Sequence, residues 1–165
     1  MRDTPYTVLF LCTGNSARSI LGEAILARQA GTRFVSLSAG SQPKGEVHPL
    51  ALDLLRQKEY DVSGLRSKSW DEFDESQMGD GIDFVFTVCD SAAAEVCPAW
   101  PGQPLSAHWG IPDPAAATGT EAERRLAFVT AYNQMKARID AFIALPDLSI
   151  DRLTLKSKLR DIGRL

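Results

Sequence analysis

The continuous apolar, β-branched and aromatic run Tyr6-Thr-Val-Leu-Phe-Leu11, followed at once by Cys12-Thr-Gly-Asn-Ser16 and then by a helical pattern, most narrows what this chain can fold into. A strand that is apolar at successive positions has both faces covered, the condition of an interior strand in a parallel sheet. A parallel neighbour requires a long crossover, and Ser19 to Ala30, ended by Gly31, has the spacing of the helix that supplies it. The unit then recurs. Phe34 to Ser38 predicts a second strand, closed by Ala39-Gly40 and the breaker-rich Ser41-Gln-Pro-Lys-Gly45. Pro49 to Lys58 has helical spacing through Leu50, Leu54 and Leu55, Phe84 to Val88 predicts a third strand, and Leu105 to His108 a short fourth. Glu121 to Leu145 is the longest amphipathic stretch, with Leu126, Val129, Met135, Ile139 and Phe142 supplying its stripe.

This alternation predicts an α/β single domain over residues 1–146, a four-stranded parallel sheet flanked by helices. Residues 147–165 predict a C-terminal helical extension. Its Ile150, Leu153, Leu155, Leu159 and Ile162 form one apolar face, which favours a docked helix over a partner-binding arm. The 165 residues carry 18 Lys and Arg against 21 Asp and Glu, a net charge of −3. That balance argues against nucleic acid or an anionic membrane surface as the main partner. No apolar run approaches the roughly 18 residues of a membrane span, and Asp3 with the short run Val8 to Cys12 is no secretory signal. Three cysteines without an export signal favour reduced thiols in the cytoplasm. Asp71 to Asp83, with six acids and no base, reads as a solvated surface segment.

Chemistry concentrates in Cys12-Thr-Gly-Asn-Ser-Ala-Arg-Ser19. Ligands of open α/β sheets gather beyond the carboxyl ends of the strands, where this loop lies. The backbone N–H groups of Thr13, Gly14, Asn15, Ser16, Ala17, Arg18 and Ser19 can curl around an oxyanion at the helix N-terminus, and the Arg18 fork can fold back onto two of its oxygens. Such positive surroundings predict a depressed Cys12 pKa and a nucleophilic thiolate. Asp113, set between prolines in Ile111-Pro-Asp-Pro114, is a candidate proton donor to a leaving oxygen. Cys89 follows the third strand as Cys12 follows the first, so if those strands are neighbours the two ends are close and the sulfurs can meet after modest loop motion. Cys97 lies eight residues beyond Cys89; in a straight helix that is a rise of about 12 Å, so a bond between them requires the segment to bend or unwind. His48 reads as a helix-start residue, and His108 and Trp109 as packing residues near the Asp113 loop.

The Cys12 loop, Ser38-Ala-Gly40 and Asp113-Pro114 resemble the low-molecular-weight protein tyrosine phosphatase fold over roughly residues 6–145. The resemblance implies Cys12 as nucleophile, Arg18 as transition-state stabiliser and Asp113 as general acid, with Asn15, Ser16 and Ser19 holding the loop. The aromatic residues that follow the Asp-Pro pair in typical tyrosine phosphatases are replaced here by Ala115-Ala-Ala117. Thr87-Val-Cys-Asp90, Cys97-Pro98 and His108-Trp-Gly-Ile-Pro-Asp-Pro114 are instead similar to the thioredoxin-coupled arsenate reductases built on that fold. This second resemblance implies reduction of arsenate to arsenite by a relay from Cys12 to Cys89 to Cys97. The implied partners are an arsenate- or phosphate-like oxyanion and an external thiol reductant, thioredoxin or glutaredoxin with glutathione, with no tightly bound cofactor. Some members of the family bind potassium (K+) near the loop, and Asn15, Glu23, Ser38, Ser69 and Asp71 match that ligand set. The rival expectations are a tyrosine or small phosphomonoester phosphatase with two incidental cysteines, and a non-catalytic oxyanion-binding regulatory module.

Overall fold

The computed structural model describes residues 4–73, 81–89, 100 and 102–165. Strands β1 (Tyr6–Leu11), β2 (Phe34–Ala39), β3 (Phe84–Thr87) and β4 (Leu105–His108) form one parallel sheet in the order β2-β1-β3-β4. The first crossover is helix α1 (Arg18–Ala30), and α2 (Pro49–Gln57) follows β2. Two further helices, α3 (Glu121–Ile143) and α4 (Arg152–Ile162), complete the described chain. The predicted class is the observed one, with element ends displaced by one or two residues.

The apolar run of β1 is buried on both faces, as its sequence demands. Val8 and Phe10 join a large cluster with Ile20, Leu21 and Ile25 of α1 and Met135, Ile139 and Phe142 of α3. Leu9 and Leu11 point the other way, to Ala39, Phe73, Ile82 and Val85. The register sets the functional edge. Leu11 pairs with Ala39 and with Thr87, and Thr87 pairs with His108, so all four strands end at one level. The loops that follow Leu11, Ala39, Thr87 and His108 therefore share one rim of the sheet.

His48 caps α2, its Nδ1 accepting from the Leu50 N–H at 3.1 Å, as the sequence suggested. Helix α3 opens on a reciprocal cap, in which Thr120 Oγ1 accepts from Glu123 N at 3.1 Å while Glu123 Oε1 accepts from Thr120 N at 3.4 Å. Its buried face differs from the predicted stripe. Leu126 is 63% exposed, whereas Phe128, Ala131, Tyr132 and Arg138 are buried with Met135, Ile139 and Phe142. Helix α4 docks through Leu155, Leu159 and Ile162, while Leu153, expected on that face, is 78% exposed. The dock rests on Trp109, which stacks on Phe86 at 3.7 Å between centroids and donates its indole N–H to Leu159 O at 2.9 Å. Arg138 ties the same corner, donating to Trp109 O at 3.3 Å and to Leu165 O at 3.2 Å. Trp109 is thus a packing residue. His108, its neighbour, shares a hydrogen bond with Thr87 Oγ1 at 2.8 Å. Among the described residues no helix is long and apolar enough to cross a membrane.

Candidate active site

Between the end of β1 and the start of α1, the chain closes around a cavity of about 270 Å³ lined by Cys12 to Arg18 together with Gln42, Lys44, Cys89 and Asp113. The loop is held from outside. Thr13 O accepts from Gln42 N, Gly14 O from Lys44 N and Ser16 O from His48 N, at 3.0, 3.0 and 2.9 Å. In a trans peptide the C=O and the following N–H point opposite ways. Anchoring these three carbonyls outward therefore turns the N–H groups of Gly14, Asn15 and Ala17 toward the cavity. Helix α1 adds its N-terminal dipole, with no side-chain cap and no acid in its first turn.

Asn15 fixes the bend. It is fully buried with φ of 43°, a left-handed conformation that asparagine tolerates better than most residues. Its amide donates to Ser19 Oγ at 2.8 Å and Ser38 Oγ at 3.0 Å, while its Oδ1 accepts from Lys68 N at 2.9 Å. One side chain so joins the loop to α1, to β2 and to the segment before Trp70. The close approach behind the loop explains Gly40: a Cβ there would stand 2.6 Å from Cys12 O and nearer still to Thr13 O. Gly40→Ala is expected to destabilise the fold by about 3 kcal/mol, read as a lowered midpoint with unchanged slope in urea denaturation.

The two sulfurs meet as the strand order requires. Cys12 and Cys89 are both buried reduced thiols. Cys89 Sγ accepts from Thr13 N at 3.4 Å and so lies against the loop that carries Cys12. The expectation of a depressed Cys12 pKa needs correcting. The thiol is pushed up from its ordinary value, first by its hydrogen bond with Cys89 and next by burial; the Arg18 charge and the Gly14 N–H pull the other way and do not prevail. Cys97 lies outside the described residues.

Arg18 leans toward the acid loop. Its Nη1 donates to Ile111 O at 3.1 Å, and its Nη2 stands 3.7 Å from Asp113 Oδ2, with the arginine side chain 15% and the carboxylate 40% exposed. Asp113 also accepts from Ala115 N at 3.0 Å through Oδ1, capping the short turn Pro114–Ala116. The candidate general acid is thus at the cavity rim beside the arginine, while Cys12 and Cys89 lie within.

The potassium set does not assemble. Asn15, Glu23 and Ser38 are together, but the ammonium of Lys68 sits among them, donating to Glu23 Oε1 at 3.3 Å and to Ser38 Oγ at 3.2 Å. Ser69 Oγ instead accepts from Asp71 N at 3.1 Å, and Asp71 is exposed. A cation is already covalently present, so the ligand set expected from the resemblance does not fit a bound potassium ion. Gln42, Lys44 and Lys68 were not singled out in the sequence. Their only local signal is that the first two sit in a glycine- and proline-rich loop directly after a strand.

Comparison with known proteins agrees with this geometry. The family model "Low molecular weight phosphotyrosine protein phosphatase" matches residues 7–152. An arsenate reductase of Halalkalibacterium halodurans is 35% identical over 135 residues, 82% of this chain and 93% of that protein. A solved arsenate reductase in its phosphate-binding state superposes with a TM-score of 0.68 at 25% identity, covering 84% of this chain and 97% of that one. The thioredoxin-dependent arsenate reductase of Corynebacterium glutamicum shares the fold at 24% identity and a TM-score of 0.64; the match covers 87% of this chain and 62% of that longer one. From the anion-ready loop, the paired thiols and these likenesses together, the chain belongs to the low molecular weight phosphotyrosine protein phosphatase family and is a relative of its arsenate reductases.

Proposed function

We propose that the protein reduces arsenate to arsenite with its own cysteines and is recycled by an external thiol reductant. The observation that carries this reading is the second sulfur. Cys89 lies against the loop of Cys12, in contact with the Thr13 N–H, where a hydrolase has no use for it.

The steps follow from the positions. Cys12 Sγ attacks arsenic, its proton passing to an arsenate oxygen, while the loop N–H groups and Arg18 hold the other oxygens. An As–O bond breaks, and the departing oxygen leaves as water with a proton from Asp113. Cys89 then attacks Cys12 Sγ. The electron pair of the S–As bond stays on arsenic, arsenite departs, and a Cys12–Cys89 disulfide remains. Cys97 attacks Cys89 Sγ, returning Cys12 as a thiol and leaving Cys89–Cys97. A dithiol of the thioredoxin class, or glutaredoxin with glutathione, reduces that bond. Two electrons enter and two reach arsenic. Phosphate occupies the same cage but stops short of the second step, because phosphorus does not accept an electron pair from thiols here. The relay needs its cysteines returned to thiols by an external reductant, which suits a reducing compartment, and the cytoplasm is the place of action in this reading.

Peptide mapping after one equivalent of arsenate tests the relay. A Cys89–Cys97 disulfide is expected, and cysteines left fully reduced would overturn it. One observation favours a second reading. Cys12, Arg18 and Asp113 form a set that is complete without Cys89, with Asp113 already 3.7 Å from Arg18. That is the equipment of a phosphatase, and it predicts phosphate-ester hydrolysis by the same cavity.

A further inference from the structure

The one ammonium buried behind the loop, among the described residues, has a place that a surface lysine does not. Lys68 is 7% exposed, and all three of its N–H donors are spent, on Glu23 Oε1 at 3.3 Å, Ser38 Oγ at 3.2 Å and Arg66 O at 2.9 Å. Ser38 passes the arrangement on. Its hydroxyl donates to Glu23 Oε1 at 2.5 Å and accepts from Asn15 Nδ2 at 3.0 Å. Asn15 in turn holds Ser19 at 2.8 Å and carries the left-handed bend of the loop. The backbone of Lys68 closes the circuit, its N–H donating to Asn15 Oδ1 at 2.9 Å and its carbonyl accepting from Gly40 N at 3.0 Å. A half-buried carboxylate, a serine hydroxyl and the Arg66 carbonyl are oxygen donors of the kind a hard cation takes, and a side chain of the protein fills the place among them.

We propose that Lys68 is a built-in cation: its ammonium takes the place of a bound potassium ion, holds Glu23 and Ser38 so that Asn15 keeps the loop in its anion-binding shape, and makes oxyanion affinity independent of potassium. Lys68 is a positioning residue, 53 positions from Asn15 in the chain, and touches no oxyanion itself. The inference rests on reading Cys12 to Ser19 as an oxyanion loop, and on nothing about arsenic reduction. Removing the ammonium leaves the Glu23 carboxylate, 16% exposed in the intact pair, with the Ser38 hydroxyl but without its cationic partner, a charge that a free cation would answer.

The test uses the full chain, inorganic sulfate as the anion, and potassium chloride against choline chloride at equal ionic strength. Sulfate affinity is read by calorimetry and the thermal midpoint by scanning calorimetry. In the unaltered protein both are expected to be the same in the two salts. Lys68→Met is expected to bind sulfate about tenfold more weakly in choline and to regain most of that in potassium, with a midpoint that rises with potassium concentration. A potassium-specific gain in the unaltered protein overturns the proposal. So does a Lys68→Met variant that binds sulfate as tightly as the parent in choline, or one weakened equally in both salts, which would make Lys68 a packing residue only. If that variant fails to fold, the salt comparison on the unaltered protein still decides, and Glu23→Gln, which removes the carboxylate, is expected to lower affinity without creating potassium dependence. Should the unaltered protein ignore sulfate altogether, the loop reading fails, while the thermal midpoints in the two salts still judge Lys68.

Discussion

Replacing Cys89 by alanine is expected to abolish arsenate reduction, by about a thousandfold or more, while making Cys12 more reactive toward an alkylating agent. The two effects have different causes. Turnover stops because no sulfur then stands beside Cys12 to draw arsenic off with its electron pair, and the covalent adduct persists. Reactivity rises because the hydrogen bond with Cys89 is the first of the influences that push the Cys12 thiol up. With that influence gone, burial still opposes ionisation, but Arg18 and the Gly14 N–H remain to favour it. The sign is definite: a lower pKa means more thiolate at neutral pH, and a fall of one unit speeds alkylation by about tenfold. Iodoacetamide labelling of Cys12 against pH, followed by mass spectrometry, checks this, with the midpoint displaced downward in Cys89→Ala. An unchanged midpoint would mean that the Cys89 contact does not govern Cys12. Phosphate-ester hydrolysis, if the cavity performs it, is expected to survive the substitution, which separates the two chemistries in one protein.

What the sequence disclosed here was local. The run Tyr6 to Leu11 is aromatic, β-branched or aliphatic on both alternating sets of positions, so it announced a doubly covered strand, and the Cys-Thr-Gly-Asn-Ser turn after it announced a loop at a strand end. The meeting of Cys12 and Cys89 was legible for the same reason. Both follow strand runs, and β1 and β3 are neighbours in register. Face assignments were weaker, because a 3.6-residue period says that a stripe exists but not how wide the covering surface is. Leu126 and Leu153 fall on turns that nothing covers, whereas Arg138, a charge, is buried because Trp109 O and Leu165 O accept its donors. Lys68 was invisible. It stands between two serines with no periodicity around it, and its partners Glu23 and Ser38 come from α1 and β2, brought together only by the sheet. The same distance misled the potassium assignment: Ser69 and Asp71 match a ligand set by type, but their local turn uses Ser69 Oγ for its own backbone.

Arg18→Ala is expected to weaken sulfate or phosphate binding by about a hundred- to a thousandfold, the effect of about 3–4 kcal/mol when one partner of a desolvated charge pair is removed. Calorimetry on the full chain measures it, and an affinity within a factor of about three of the parent would remove Arg18 from the anion site. The size follows from where the guanidinium sits. At 15% side-chain exposure it is largely shielded, and its planar fork already spans Ile111 O at 3.1 Å and Asp113 at 3.7 Å, so its rotamer freedom is spent before any anion arrives. Arg18→Lys is therefore not a mild change. A lysine lacks the planar fork that reaches Ile111 O and two oxyanion oxygens with parallel donors, and about a tenfold loss is expected even with the charge kept. Shielding also sets the salt response: this contribution to affinity is expected to change little between low and moderate ionic strength, unlike that of an exposed lysine. The loss extends beyond the anion. Ile111 is attached to the sheet by its N–H on Val88 O at 3.2 Å, and Arg18 holds the other side of the same residue. Without the guanidinium, the Ile111 amide is expected to exchange its hydrogen faster, because the loop that carries Asp113 has lost its fixed point over the cavity.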